Sequence, residues 1–286
     1  MNSRRDHLNN IKVDNIAHAG LWLDRYLYEQ KNDDENSKTK HFADVANIAN
    51  QMDQTGIYEG FFKRWVNTLK EIPAICLLRA EVKGRMVVGL GTESVLENSI
   101  TLQRTYGMPY IPGSALKGLA SSFAHQRLGQ GAANADTPND WAKGGKFHRE
   151  LFGSTELSGC ISFYDALYIP KTAKAGGPLH PDVITVHHPE YYQGKKQAPA
   201  KGDQAQTMPP ADWDSPTIIP FLSATGHYLV ALSGVEGWCN AARSLLANGL
   251  THMGIGAKTS SGYGRMELDA NCMTEEQIKS LLESLG

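Results

Sequence analysis

The chain has few cysteines and no long apolar run, and both features limit the classes of protein to which it can belong. Its four cysteines, Cys76, Cys160, Cys239 and Cys272, include no C-x-x-C pair. That spacing argues against a structural zinc site and a disulfide scaffold, and it suits a reducing cytoplasm. No apolar run is long enough to span a bilayer, and the polar N-terminus lacks a signal-peptide pattern. We therefore expect a cytoplasmic protein without membrane contact.

Common catalytic motifs are missing as well. The sequence has no His-Glu-x-x-His, no G-x-S-x-G and no tight cluster of metal-binding residues, so we expect no metal, no cofactor and no catalytic residue. Two alternatives stay open. His187 and His188 lie beside Glu190 and have the chemistry of a general acid–base for metal-free RNA cleavage. Asp165 has the chemistry of a lone metal ligand, although a single carboxylate is a weak site.

Acidic residues are absent from two long stretches. Net charge is only −2, yet 98–135 and 237–266 contain no Asp or Glu. The cations in these stretches include Arg104, Lys117, Lys258 and Arg265. We predict that the two stretches share one positive face. The alternative is that small-residue loops and buried helices simply lack acids.

The stretch 253–266 combines four glycines, three hydroxyls and two cations. Exposed N–H groups in such turns form anion-binding concavities, and an aromatic ring offers a face for a base. We predict a loop that cradles a phosphate backbone; the alternative is a structural glycine-rich turn. The expected contact residues are Gly254, Gly256, Lys258, Thr259, Ser260, Ser261, Gly262, Tyr263, Gly264 and Arg265. For Tyr263, base stacking and structural packing under the loop both remain open.

A nucleotide-hydrolysing P-loop is the obvious competitor for this stretch, because Lys258-Thr259 follows glycines. That motif requires a glycine directly before the lysine, but Ala257 stands there. It also lies between a strand and a helix. Here a helix-like run precedes the loop and a strand-like run follows it, so we exclude a P-loop.

A second anion site is predicted where a helix begins after two prolines. Ser114 is expected to cap this helix, with Gly113 outside it and Lys117 in the first turn. A phosphate at the helix N-terminus would offset the unfavourable position of Lys117. Gly118 costs about 1 kcal/mol within a helix unless something approaches closely. The alternative for Lys117 is a side chain that reaches solvent from a packed site.

The remaining pattern predicts an α+β fold with an N-terminal helical segment, 1–72, and a main domain, 73–286. In the first segment 31–40 is expected to be a charged link, and Ile57, Phe61, Trp65 and Leu69 mark one helix face. Strands are expected at 74–91, as one strand or a hairpin, at 160–169, at 183–188, and as a hairpin of 217–224 with 227–233. Further helices are expected at 241–247, ended by Gly249, and at 274–285, with Thr274 and Gln277 as a capping box. Insertions are expected at 129–146 and 189–216.

Four motifs, in order along the chain, resemble those of the RAMP (repeat-associated mysterious protein) superfamily of CRISPR systems. The two general motifs are IPGSALKG at 111–118 and the glycine-rich residues 254–264. HHPEYY at 187–192 and PADWDSPT at 210–217, followed by 220–222, narrow the resemblance to the sixth-subunit family of the Cmr, type III-B, effector complex. The resemblance spans about residues 77–268.

The resemblance implies a ferredoxin-like, RRM-type core with insertions and a non-catalytic RNA-binding role. Family members hold guide RNA and the guide–target duplex near the guide 3′ end, beside other RAMP subunits, and a neighbouring subunit cleaves the target. The phosphate-binding residues implied are those of the loop with Arg104, Gly113, Ser114, Lys117 and Gly118. Further duplex or subunit contacts are implied for His187, His188, Tyr191, Tyr192 and Trp213. A metal-independent CRISPR RNA endoribonuclease and a purely protein-bridging subunit are the alternatives.

Overall fold

The computed structural model describes residues 18–27, 35–94, 96, 98–130, 139–174, 176–187 and 216–285. Its strands are β1 (Ile75–Val82), β2 (Tyr110–Ile111), β3 (Ile161–Phe163), β4 (Ala166–Tyr168), β5 (Leu179–Val186), β6 (Thr217–Ala224), β7 (His227–Gly234) and β8 (Met266–Leu268). The larger sheet has the order β2-β4-β7-β1-β8, with β3 also on β7, and its pairs are antiparallel. With the helices below, the fold is α+β, as predicted.

The strand β6 does not pair with β7, so the predicted hairpin around Thr225-Gly226 is wrong. Instead β6 pairs with β5 in a separate two-stranded antiparallel ribbon, from Leu179↔Ala224 to Val186↔Thr217. Both edges of β7 are already taken, by β1 on one side and by β3 and β4 on the other. The turn at Gly226 therefore leads from one sheet into the other.

The structure decides two other strand predictions. Of the two alternatives for 74–91, the single strand is present as β1, although it ends at Val82; it lies between β7 and β8, so the hairpin at Lys83-Gly84 is wrong. The stretch 160–169 is broken into β3 and β4 at Tyr164-Asp165. The break lets Asp165 serve another element, as described below.

The helices are α1 (Ala19–Arg25), α2 (Glu35–Gln54), α3 (Ile57–Lys70), α4 (Gly113–Phe123, continued by a π turn at Ala124–Leu128), α5 (Lys146–Phe152), α6 (Glu236–His252) and α7 (Glu275–Ser284). α2 covers part of the region predicted to be a charged link, so that prediction is wrong from Glu35 onward. In α3 the buried face runs through Tyr58, Phe62, Val66 and Leu69. Leu69 is buried as predicted, but Ile57 is exposed and Phe61 and Trp65 are half-buried.

Helices cover both faces of the larger sheet, so its central strand, β7, is buried on both sides. Tyr228, Val230 and Leu232 of β7 belong to the core that includes α4 and α6. The alternating residues Leu229 and Ala231 belong to a second core with α3 and α7. This period of two is what a strand requires when both of its faces are packed.

A polar network attaches α2 and α3 to the end of β4. The Tyr58 hydroxyl donates to the Tyr168 carbonyl at 2.7 Å, and the Tyr168 hydroxyl donates to Asp53 Oδ2 at 3.0 Å. Asp53 Oδ1 accepts from the Lys171 amide at 2.9 Å, and Lys171 Nζ contacts Glu59 Oε2 at 2.9 Å. Burial raises the pKa of Asp53, and these hydrogen bonds oppose the rise. The N-terminal helices are therefore fixed to the sheet by directed polar bonds as well as by apolar packing.

The two helices beside the predicted phosphate sites pack on each other. Gly249 of α6 lies against Leu119 of α4, where an added Cβ would meet Leu119 Cγ at 3.0 Å. Gly249 therefore serves this contact, and the prediction that it ends the helix is wrong because α6 continues to His252. The capping box of Thr274 and Gln277 at the start of α7 is confirmed.

The structure joins Cys76 and Cys272 in a disulfide across 196 positions of sequence. The spacing argument against a disulfide scaffold therefore missed this bond, while Cys160 and Cys239 are free. Sequence spacing did not reveal the pair because β1 and the segment after β8 come together only in the folded protein. Among the helices of the described residues, none is sufficiently long and apolar to cross a membrane.

Candidate nucleic-acid interface

The glycine-rich loop, defined here as residues 254–265, follows α6 directly and leads into β8. It rests on residues 85–87: the Ala257 amide donates to the Val87 carbonyl at 2.8 Å and the Gly264 amide to the Arg85 carbonyl at 2.8 Å. A short 3-10 turn, Thr259–Ser261, forms its outer part. The loop is therefore held against the segment that follows β1.

Most backbone N–H groups of this loop are already used within the protein. Seven of its amides donate to backbone carbonyls, those of Gly254, Ile255, Ala257, Ser261, Gly262, Tyr263 and Gly264. The prediction of a concavity of exposed N–H groups is therefore wrong for these positions. An anion at the loop would be held by side chains and by the remaining amides.

The loop glycines are required by its own packing. At Gly264, where φ is +72°, an added Cβ would lie 1.9 Å from the Ile255 carbonyl oxygen. At Gly256, where φ is +85°, the corresponding distance to the Val87 carbonyl oxygen is 2.2 Å. L side chains rarely adopt such φ values, so glycine is the residue that permits this fold of the chain. The glycine pattern thus identifies the loop shape without locating a ligand.

The outward surface of the loop consists of hydroxyls and cations. Ser260 and Ser261 are exposed, and Thr259 is half-buried beside them. Lys258 Nζ lies 5.7 Å from the centre of the Phe221 ring, within the range of a cation–π contact. Arg265 donates weakly to the Thr251 carbonyl at 3.4 Å. These groups are hydrogen-bond donors and positive charges of the kind that phosphate oxygens accept.

Tyr263 is held beneath this surface, which favours the structural interpretation over base stacking. Its hydroxyl donates to Asp182 Oδ2 of β5 at 2.6 Å, and its ring centre lies 5.9 Å from that of Phe221 in β6. Partial burial and the neighbouring Asp182 carboxylate raise the pKa of Tyr263 to about 12. Tyr263 therefore remains a neutral donor at physiological pH and connects the loop to the ribbon.

The predicted start of α4 differs from the structure in its capping. The N-cap is Pro112, whose side chain accepts no hydrogen bond. Ser114 lies within the first turn and is exposed. The Gly113 amide donates instead to Asp165 Oδ1 at 2.7 Å. A carboxylate thus occupies the positive helix end where a phosphate was expected. Asp165 serves α4 in this way, and the described residues contain no group of three potential ligands positioned for a metal ion.

Lys117 and Gly118 remain available on α4. Lys117 is half-buried and Gly118 is exposed. A Cβ added to Gly118 would meet no protein atom within 4 Å, so the protein itself gives no packing reason for glycine there. The open space over Gly118 is compatible with the close approach of a ligand backbone.

The other predicted contacts lie apart from the loop or outside the described residues. Arg104 is exposed and lines a groove with α1, including Arg25 and Leu21. His187 is exposed just beyond the end of β5. His188, Tyr191, Tyr192 and Trp213 lie outside the described residues.

Two residues at this surface were missed by the sequence reasoning. Arg85 lies beside the loop, and its guanidinium contacts Ser223 Oγ at 3.4 Å. Asp182 forms the bond to Tyr263. The absence of acids from 82–92 was a signal for Arg85, but β5 gave no sign that Asp182 would meet a loop 81 positions away.

Comparison with known proteins shows the family of this chain. The model of the RAMP superfamily matches residues 79–267, about two thirds of the chain. The chain therefore belongs to the RAMP superfamily, as its motifs predicted.

Within the superfamily, the similarity is to Cmr6 subunits. The chain is 30% identical over 259 residues to the CRISPR system Cmr subunit Cmr6 of Pyrococcus furiosus, with 73% of this chain and 72% of that protein covered. It is 26% identical over 215 residues to Cmr6 of Saccharolobus solfataricus, with 72% and 64% covered. The predicted resemblance to the sixth-subunit family is confirmed.

A solved structure shares the fold. A chain in the cryo-EM structure of the Type III-B Cmr-beta bound to cognate target RNA superposes with a TM-score of 0.57 at 19% identity, and 93% of this chain and 88% of that chain are covered.

Proposed function

We propose that this protein is a non-catalytic RNA-binding subunit of a type III-B CRISPR effector complex and acts in the cytoplasm. The observation that carries the proposal is the hydroxyl- and cation-bearing outer surface of the glycine-rich loop. The backbone of this loop is hydrogen-bonded to residues 85–87, so the positions from which its donors project are set before any ligand arrives. Preorganised donors bind anions with a smaller ordering cost than mobile ones.

The strand order supports a ferredoxin-like core as part of the proposal. The series β1, α4, β4, β7, α6 and β8 has the sequence βαββαβ, and its strands lie in the spatial order β4-β7-β1-β8. That order, with both helices on one face, is the split βαβ arrangement of ferredoxin-like domains. We assign β2, β3 and the β5–β6 ribbon to insertions in this core.

The contacts that we propose are directed to the RNA backbone. Lys258, Arg265 and the loop hydroxyls bind phosphates, Lys117 and the open surface at Gly118 receive the strand on α4, and Arg85 adds a third cation beside the loop. Backbone contacts carry no sequence information, so base pairing between guide and target supplies the specificity. We propose that the ligand is guide RNA and its paired target near the guide 3′ end, and that other RAMP subunits dock alongside.

Binding of a mixed-sequence oligoribonucleotide tests this proposal. We expect Lys258→Ala and Lys117→Ala each to weaken binding by a similar factor for several unrelated sequences, because a phosphate contact is sequence-independent. Lys279→Ala, an exposed position on α7, is the matched control. Binding that is sequence-selective, or unchanged in both variants, would contradict the proposal.

The alternative enzyme function is favoured only by the exposed position of His187. Incubation of the purified chain with CRISPR repeat RNA in EDTA separates the two functions. We expect intact RNA. Specific cleavage that is lost in His187→Ala or His188→Ala would establish a metal-independent endoribonuclease instead.

A further inference from the structure

An acidic residue, Asp182, lies directly beneath the surface that we propose for RNA. Its carboxylate is committed on both oxygens: Oδ1 accepts from the Val183 amide at 3.0 Å, and Oδ2 accepts from the Tyr263 hydroxyl at 2.6 Å. Oδ2 is also 3.4 Å from the Ser223 hydroxyl. A negative charge here opposes phosphate binding. A contact of Asp182 that favours binding would have to offset this repulsion.

The contacts around Asp182 connect two separate parts of the fold. Asp182 and Phe221 are paired across the β5–β6 ribbon. Tyr263 of the glycine-rich loop contacts both of them, through its hydroxyl and its ring. Lys258 of the same loop lies over the Phe221 ring. The ribbon therefore supports the tyrosine and the lysine of the loop at neighbouring points.

The bond between Tyr263 and Asp182 is the strongest of these contacts. A donor–acceptor distance of 2.6 Å is typical of a hydroxyl donating to a carboxylate, and such charge-assisted bonds are about twice as strong as neutral ones. The amides of Ala257 and Gly264 hold the loop to residues 85–87 on either side of the outer turn, and Tyr263, just after that turn, adds this side-chain bond to the ribbon. Loss of the bond would leave the outer turn, which carries Lys258 and the hydroxyls, less ordered.

We propose that Asp182 is a positioning residue for RNA binding, and that its bond with the Tyr263 hydroxyl latches the glycine-rich loop to the β5–β6 ribbon in the conformation that receives phosphate. This inference rests on the proposed RNA-binding function. It assigns Tyr263 to the latch and gives the anionic Asp182 a role in binding an anion.

The sign of the effect at Asp182 distinguishes the latch from simple electrostatics. Asp182→Ala removes both the negative charge and the acceptor. Electrostatics alone would raise RNA affinity, whereas loss of the latch lowers it by about tenfold, the size expected for one charge-assisted hydrogen bond. Asp182→Asn removes the charge but keeps an acceptor oxygen, so we expect it to restore affinity to at least that of the parent protein.

Substitutions at Tyr263 provide the second arm. Tyr263→Phe keeps a ring for stacking but loses the donor, so we expect the same loss of about tenfold as in Asp182→Ala. The double variant should bind no more weakly than either single variant, because both remove one interaction. Affinity is measured by fluorescence anisotropy of a labelled mixed-sequence oligoribonucleotide with the full chain, and circular dichroism confirms folding of each variant.

The outcomes separate failure of the latch from failure of RNA binding. If Lys258→Ala lowers affinity but Tyr263→Phe and Asp182→Ala do not, the latch is wrong and the RNA surface stands. Additive losses in the double variant, or no recovery in Asp182→Asn, also overturn the latch. If Lys258→Ala, Lys117→Ala and the latch variants all leave affinity unchanged, the proposed RNA surface and the latch fail together.

Discussion

At Gly118 the helix α4 carries the residue that, apart from proline, is least favourable within a helix. The structure places no protein atom within 4 Å of a Cβ added there, and the residue is exposed. Gly264, in contrast, has a visible reason in the fold, because an added Cβ would lie 1.9 Å from the Ile255 carbonyl oxygen. Gly118 therefore lowers the stability of the helix, and no packing contact requires a glycine there. The reason that we propose is the close approach of RNA to the helix.

We predict that Gly118→Ala raises the free energy of unfolding by up to about 1 kcal/mol, because alanine has the higher helix propensity and meets no clash. The same substitution should weaken RNA binding, since a methyl group then projects towards the ligand. Chemical denaturation and anisotropy titration measure the two effects on one sample.

Gly237→Ala in the first turn of α6 is the matched control, because a Cβ there also meets open space. It should leave RNA affinity unchanged. If Gly118→Ala binds RNA as tightly as the parent protein, the open surface at Gly118 is not part of the interface.

Tyr263 illustrates what a sequence can and cannot decide about a residue. Its place among glycines, hydroxyls and cations allowed both base stacking and structural packing. Structural packing is favoured by the contacts of Tyr263 with Asp182 and Phe221, which belong to other elements. No local sequence pattern predicts these contacts. In contrast, the cations of the loop could be named from composition alone, because an acid-free glycine-rich turn is rarely buried.

Local rules predict an element well where its own residues supply the bonds. The helix α7 begins where Thr274 accepts from the Gln277 amide at 3.2 Å and the Gln277 side chain accepts from the Thr274 amide at 2.8 Å. By the same reasoning α4 was expected to be capped by Ser114, but the acceptor came from Asp165 in a distant loop. The hairpin of β6 and β7 failed for a similar reason, since a turn sequence does not specify which strand each arm will pair with.

We predict that Thr274→Ala lowers the free energy of unfolding by about 1 kcal/mol, because it removes the side-chain cap of α7. Thr274→Ser keeps an acceptor hydroxyl and should retain most of the stability. Urea denaturation of both variants measures the difference. Equal stability of the alanine and parent proteins would show that the cap contributes nothing in this fold.

The disulfide between Cys76 and Cys272 closes most of the chain into one loop. We predict that Cys76→Ser, or reduction of the parent protein, lowers the free energy of unfolding by about 2–5 kcal/mol, mainly because the unfolded chain regains freedom. Denaturation with and without reductant measures the loss. Cys160→Ser is the control, since Cys160 is free. If reductant leaves the free energy of unfolding of the parent protein unchanged, this bond has no structural role.

Stability should also fall in mild acid. Burial lowers the pKa of four histidines below the usual 6.5, namely His41, His148, His180 and His227. A lowered pKa means that the unfolded chain takes up protons first, so stability is lost as pH falls below about 6.5. The raised pKa of Asp53 acts in the opposite direction, and its stabilising contribution is complete only when the pH falls below the usual 3.8.

We therefore predict a lower urea midpoint at about pH 5.5 than at about pH 7.5. His148→Gln, which removes a buried imidazole next to Ser121, should reduce the difference. A midpoint that is flat or rises towards pH 5.5 would contradict the burial of these rings.

Across the whole molecule, the central claim is that one surface built on α4 and the glycine-rich loop holds RNA phosphates. The most direct test is the salt dependence of RNA affinity for the Lys117→Ala and Lys258→Ala double variant beside the parent protein. We predict a large loss of affinity and a fall of about 1.5 in the magnitude of the slope of log K against log salt, since each lost phosphate contact accounts for about 0.7–0.9. An unchanged affinity and an unchanged slope would contradict the claim and leave the glycine-rich loop as a structural turn.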